Sequence, residues 1–198
     1  MSWLEPITLA CTGARLEPLT QAHRADLSDS VCDGELWNLW YTSIPKPEEM
    51  AAEIDRRLAL QAGGSMLPFA VIDAGHAVGM TTFMHVDALN RRVEIGSTWY
   101  RRSVQRTALN TRCKLLLLTH AFDALDCIAV EFRTHFFNQP SRHAIERLGA
   151  KLDGVLRQHQ RAADGKLRDT CVYSITRSEW PSVKTHLHWQ LTRPHAVA

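Results

Sequence analysis

The segment from Arg92 to Leu118, RVEIGSTWYRRSVQRTALNTRCKLLLL, constrains this chain more than any other. It reads as a strand, a short basic turn and a strongly apolar helix. A turn that feeds straight into a helix aims the unpaired N–H groups of the first helical turn at whatever lies in front of them. The helix dipole and the nearby Arg101, Arg102 and Arg106 favour an anion there, and phosphate is the best match. The strand that feeds the turn carries the carboxylate Glu94. A phosphate cradle beside a strand-borne acid is the ground plan of a group-transfer enzyme whose donor bears a phosphate.

Composition narrows the field further. With 198 residues, 45% hydrophobic and 22% charged, residues 1–198 are expected to form a single domain with a sizeable core. A formal net charge of +2 argues against nucleic acid as a partner. The five cysteines, Cys11, Cys32, Cys113, Cys127 and Cys171, are odd in number and far apart, and none forms CxxC. They read as reduced thiols used for packing. Residues 1–13 lack a basic stretch followed by an apolar run, and the longest aliphatic run is Leu115 to Leu118. A cytoplasmic protein without a membrane partner is expected. The histidines at 135, 143, 159, 186 and 188 show no ligand spacing with a nearby acid, so no metal is expected.

Periodicity and punctuation place the elements. A first strand is expected over Ala14–Leu19, then a helix capped by Thr20 and running to about Val31. Pro47-Glu48-Glu49 opens a second helix, with a stripe of Met50, Ile54 and Leu58, ended by Gly63-Gly64. Strands follow at Leu67–Ile72, Ala77–Val86 and Arg92–Tyr100. A helix over Asn110–Leu125 is expected to bury Leu115, Leu118, Phe122 and Leu125. Then come a strand from Ile128, a helix over Gln139–Leu148 closed by Gly149, and strands near 151–161 and 167–176 split by the turn Ala163-Asp164-Gly165. A terminal helix covers Glu179–Leu191. Tight turns make neighbouring strands antiparallel, whereas a strand–helix–strand crossover is parallel. The fold class is therefore α/β (α+β), a mixed, mostly antiparallel central sheet with helices on both faces.

That element order, with VEIG, QRTALNT and the stretch Asn138-Gln139-Pro140-Ser141-Arg142-His143-Ala144-Ile145-Glu146-Arg147-Leu148-Gly149-Ala150, resembles the GCN5-related N-acetyltransferase (GNAT) superfamily, and within it the RimJ/RimL-type branch. The stretch is similar to the family's N-x-x-S-x-x-x-x-E-x-x-G-[AF] pattern. The resemblance implies acetyl transfer from acetyl-CoA to a primary amine of a small molecule or a peptide N-terminus, directly and through a tetrahedral intermediate. It also implies that a splayed strand around Thr98, Trp99 and Tyr100 pairs with the pantetheine arm. Gln105, Arg106, Thr107, Ala108, Asn110 and Thr111 would hold the pyrophosphate, and Asn138 and Ser141 would also contact the cofactor. The family's loop usually reads Q/R-x-x-G-x-G/A, whereas this chain has Ala108 and Asn110 at the glycine positions. Glycine serves where backbone must approach a phosphate or take positive φ, so the grip depends on the dihedral at Ala108. That departure also motivates a second reading, a catalytically silent CoA-binding sensor or interaction domain.

Amine acetylation needs a base for the ammonium and a proton for the departing thiolate. Glu94 is the candidate base, acting through water, because burial in a central strand raises a carboxyl pKa. The alternative is a structural pairing with an Arg. Ser141 reads either as a helix cap or, by the resemblance, as the acid for the thiolate, a role that water would otherwise fill. No Tyr stands in its helix, and Tyr100 and Tyr173 are the phenols nearest in sequence. Trp37, Trp40 and Tyr41 lie between the first two helices, where they either wall the acceptor site or pack the helix pair. His85 and Arg133 are strand residues that can face the same pocket. Homodimers are common in the family, and the terminal helix with Trp180 and Trp189 offers a surface for one.

Overall fold

The computed structural model describes residues 3–161 and 165–193. An eight-stranded sheet runs in the order β1-β2-β3-β4-β5-β6-β8-β7. Its strands are β1 (Leu9–Cys11), β2 (Ala14–Pro18), β3 (Met66–Asp73), β4 (His76–Asp87), β5 (Arg92–Tyr100), β6 (Ala129–His135), β7 (Lys151–Arg161) and β8 (Leu167–Thr176). All neighbours are antiparallel except β5 and β6. The helices are α1 (Arg24–Cys32), α2 (Met50–Ala62), α3 (Leu109–Thr119), α4 (Gln139–Arg147) and α5 (Trp180–Thr192). The expected class, a mixed and mostly antiparallel sheet, is the one observed. No helix among the described residues is long and apolar enough to cross a membrane.

The strand period of two sorts side chains onto two cores. Leu67, Phe69, Val71, Phe83, Val93 and Ile95 pack with residues of α3, α4 and α5. Ala70, Ala77, Met80 and Trp99 pack with Leu27 and Val31 of α1 and Met50 and Ile54 of α2. Local chemistry sets the helix ends. The Glu49 carboxylate accepts the Lys46 N–H at 2.9 Å before α2. Asn138 Oδ1 accepts the Ser141 N–H at 3.1 Å at the start of α4, so Asn138, not Ser141, caps that helix.

Several expectations change. The hairpin strand β1 was not anticipated; it spans three residues with an intermediate–exposed–exposed pattern, too short to show alternation. The helix after Thr20 divides into a 3-10 turn, Gln21–His23, and α1. α3 ends at Thr119 and passes into a π turn, His120–Ala124. Its buried side holds Cys113, Leu117 and Leu118, and the π turn adds Ala121 and Phe122, while Leu115 and Leu125 are only partly buried. The run of leucines is apolar all round, and the wider π turn rotates the residues beyond it, so periodicity misplaced the face. Trp180 stacks on Phe122 within its own fold and donates to Asp123, so it is not a surface for a neighbour. Trp189 remains exposed. Of the turn expected at Ala163-Asp164-Gly165, residues 163 and 164 lie outside the described residues.

Gly79 of β4 faces Tyr100 of β5, and a Cβ at 79 would fall on the Trp99 carbonyl oxygen. Gly79→Ala is expected to lower stability by about 1–3 kcal/mol, as overpacking does. Urea unfolding checks it; an unchanged midpoint would show that β5 yields there at no cost.

Candidate active site

The parallel β5–β6 ladder joins only Arg92, Val93 and Glu94 to Ala129, Val130 and Glu131. Both strands continue, β5 to Tyr100 and β6 to His135, with no ladder between them. A fork therefore opens just past Glu94, and the strand edges along it have backbone groups to spend. Two β-bulges shape it. In one, Ser97 takes φ +46° where the β4–β5 register shifts between Met80 and Thr82. In the other, His85 takes φ +47° where the register shifts between Met84 and Asp87. A bulge re-aims a side chain, and here His85 Nδ1 comes 2.7 Å from Glu94 Oε2.

Glu94 is only 5% exposed. Burial raises its pKa above the ordinary value, while the hydrogen bond from His85 and the charge of Arg133 partly offset that. Arg133 Nε lies 3.5 Å from Glu94 Oε2, and its Nη2 lies 2.9 Å from Glu131 Oε2. Arg92 pairs with the other oxygen of Glu131. Burial raises the Glu131 pKa, but hydrogen bonds from Arg133 and Arg92 outweigh it and leave that group below the usual range. Of the two, Glu94 holds its proton more tightly than an ordinary carboxyl and Glu131 less tightly. The glycine of VEIG has a steric reason, since a Cβ at Gly96 would meet Glu94 Oε1 at 2.8 Å and Met84 Sδ at 2.7 Å. Arg92, Glu131 and Arg133 also line a cavity of about 530 Å³ that extends to Asp153 and Ser174 of β7 and β8.

At the start of α3, Thr107 Oγ1 accepts the Leu109 N–H at 3.2 Å. The N–H groups of Arg106, Thr107, Ala108, Asn110 and Thr111 find no acceptor among the described residues. Ala108 has φ −70° and ψ −13°, a helical conformation that any L residue adopts; the positive φ of this turn falls on Arg106, at +62°. Asn110 keeps a buried Oδ1 without a partner. Free backbone amides suit a phosphate-bearing donor, whereas the Asn110 Oδ1 is an acceptor and offers a phosphate no bond. The turn is braced from α1, because Asp33 Oδ2 accepts from Arg101 Nε and from the Ser103 N–H, both at 3.0 Å. Those bonds, Ser103 first and Arg101 next, hold the Asp33 carboxyl at a pKa of about 2.

Among the other expected site residues, Trp99 and Tyr100 bury their side chains in the two cores, leaving backbone to face the fork. Gln105 Nε2 donates to the Tyr100 carbonyl at 2.8 Å. The Thr111 hydroxyl accepts from Arg147 of α4 at 3.1 Å. The Tyr173 hydroxyl sits between Arg142 and Glu146, while the Tyr100 hydroxyl is buried beside Cys113 with no hydrogen-bond partner among the described residues. Ser141, in the first turn of α4, makes no side-chain hydrogen bond among the described residues. Trp37 packs on the α1–α2 core. Trp40 is 67% exposed and reaches across to the far end of β6, with its ring 5.2 Å from that of His135, 5.9 Å from Phe137 and 5.7 Å from Tyr41. Sequence reasoning missed Arg57, Lys114, Glu131 and Phe137. The available signal was a cation inside an apolar pattern: Arg57 on the buried stripe of α2, and Lys114 before four leucines.

With this geometry in hand, comparison with known proteins fixes the family. The profile described as "Acetyltransferase (GNAT) domain" matches residues 14–151, and the chain belongs to that family. A Bacillus subtilis (strain 168) protein, provisionally named as the ribosomal N-acetyltransferase YdaF, is 29% identical over 110 residues. That match covers 56% of this chain and 59% of the relative, so it spans less than two thirds of the relative's length. A GCN5-related N-acetyltransferase from Brucella melitensis is 30% identical, with a TM-score of 0.83 over 94% of this chain and 86% of that one. Mycobacterium smegmatis RimJ, solved in complex with CoA-disulfide, shares the fold at 22% identity, with a TM-score of 0.79 over 93% of this chain and 95% of that one.

Gly96→Ala is expected to displace the Glu94 carboxylate while leaving the α3 turn untouched. Turnover should fall at least tenfold, as when a base is mispositioned, with the fold kept. Steady-state rates and thermal unfolding check it, and a rate within twofold of wild type would contradict the placement.

Proposed function

We propose that this protein is an acetyl-CoA-dependent N-acetyltransferase of the RimJ/RimL type, acting by direct transfer on a primary amine, with a peptide or protein N-terminus the preferred acceptor class. One observation carries the reading: the β5–β6 ladder stops at a buried carboxylate, beside a helix start whose amides are unspent. Family membership and the name of the B. subtilis relative support it. The free edge of β5 from Ile95 to Tyr100 would pair with the pantetheine arm, and the turn Arg106–Thr111 would hold the pyrophosphate. Acetyl-CoA supplies the activated acyl group.

The acceptor approaches from the face that carries Glu94, between the aromatic bridge at Trp40, Tyr41 and Phe137 and the cavity lined by Glu131 and Arg133. An incoming ammonium meets the Glu94–His85 pair. Glu94 takes its proton through water or through the imidazole, leaving the amine lone pair free to attack. Arg133 keeps Glu131 from competing for the amine by satisfying its charge. The backbone N–H groups along the free edge of β5 would supply the donors that an oxyanion needs. The thiolate gains its proton from Ser141 or from water. The substitutions that suggested a silent domain lose their force, because a helical Ala108 blocks no amide.

CoA release with acetyl-CoA and a panel of N-terminal peptides and small amines tests this; failure to bind CoA at millimolar cofactor would overturn it. Turnover should rise with pH through an apparent pKa above the ordinary carboxylate value, since burial keeps Glu94 protonated longer. Glu94→Gln should remove that limb and cost about 100-fold in kcat. The native state holds the Glu94 proton more tightly than the unfolded chain, so the ionised group opposes folding above its raised pKa. Glu94→Gln is therefore expected to keep or raise the thermal midpoint at neutral pH, which separates lost chemistry from lost fold.

A further inference from the structure

The bulge that opens the fork is gripped by a buried cation on each face of the sheet. From the α2 side, Arg57 is 3% exposed and pairs with Glu53 at 2.7 Å. Its Nη1 donates to Thr82 Oγ1 at 2.8 Å, and both terminal nitrogens reach the Ser97 carbonyl, at 3.4 and 3.5 Å. From the α3 side, Lys114 is 5% exposed. Its Nζ donates to Thr98 Oγ1 at 2.8 Å and to Thr81 Oγ1 at 3.1 Å, and the two hydroxyls lie 2.8 Å apart. Thr98 Oγ1 donates in turn to the Gly96 carbonyl at 3.3 Å. Arg57 has a carboxylate; no carboxylate among the described residues pairs with Lys114. A buried ammonium without a counter-ion costs stability, and burial drops its pKa to about 7. Leucine would fill the place as its neighbours do, so packing alone gives no reason for a lysine there.

We propose that Lys114 is a positioning residue for the acyl donor, holding the bulged Ser97–Thr98 unit against β4 while Arg57 holds it from the opposite face, so that the free edge of β5 is preset before the donor arrives. The inference rests on the reading of the fork as the donor site. Thr98 carries the effect. Its hydroxyl joins the lysine to the backbone of Gly96, and the strand between these residues is the part that would pair with the pantetheine arm. A preset edge spares the donor the cost of ordering it, which appears as affinity.

Lys114→Met tests this, because exchanging a buried charge for an apolar chain of similar length is often neutral or stabilising. The KM and Kd for acetyl-CoA should rise about tenfold, the size of one lost charge-assisted hydrogen bond, with the KM for the amine unchanged. Hydrogen exchange at the Ser97 and Thr98 amides, read without donor, should speed up. Thr98→Val should reproduce both effects, and the double variant should be no worse than either single one, since all three break one linkage. Thr98→Val also decides the matter if Lys114→Met fails to fold. Donor affinity within twofold of wild type in the folded variants would overturn the proposal, and so would additive losses. Faster exchange without weaker donor binding would reduce Lys114 to a structural role and overturn it as well. Wild-type protein that refuses CoA would sink the functional reading, and the donor-free exchange experiment would still decide the clamp.

Discussion

The point at which one ladder of hydrogen bonds stops governs the rest of this structure. Three residues of β5 pair with three of β6, and then the strands part. Pairing further along would consume the backbone groups of β5 and bury the carboxylate at the junction behind a closed sheet. Bulges at Ser97 and His85 supply the extra twist that prevents it, and both residues sit at positive φ, a conformation that costs side-chain-bearing residues energy. The cost is met by contacts on both faces of the sheet. The fork is thus a strained local arrangement inside an otherwise regular antiparallel sheet.

Charge is arranged to match. Across the junction, Glu94 and Glu131 stand as neighbours on adjacent strands, which on its own would be repulsive. Arg133 lies between them and Arg92 beyond, so Glu131 stays ionised and Glu94 is left as the group that titrates. The difference follows from burial and partner distance: Glu131 is hydrogen-bonded by two guanidinium groups, while Glu94 is deeply buried, with an exposed imidazole at 2.7 Å and Arg133 only at 3.5 Å. The same carboxyl chemistry yields a fixed charge at one position and an exchangeable proton at the next.

Much of this was legible in the sequence, and the reasons are specific. β5, β7 and β8 could be placed because turn residues bound them, and β6 because apolar and polar residues alternate along it. The burial of Glu94 followed from its flanks, Val93 and Ile95. The α3 turn was visible as a basic loop before an apolar helix, although the altered glycine positions could not be judged without the dihedral at Ala108. The bulges were not legible, since a register shift is a relation between two strands and leaves no period in either. Nor could the sequence show that Trp40 reaches His135 across the fork while Trp37, three residues earlier, packs inward. The face of α3 was misread because a helix apolar on every side carries no phase.

Asp33 ties the end of α1 to the turn before α3 through one carboxylate. Its bonds to Ser103 and Arg101 keep it ionised down to about pH 2, far below the range in which Glu94 gains its proton. Mild acid is therefore expected to protonate Glu94 while the brace keeps its charge. If Glu94 is the base proposed above, an acidic fall in rate is expected to report its titration and not a loosening of this brace.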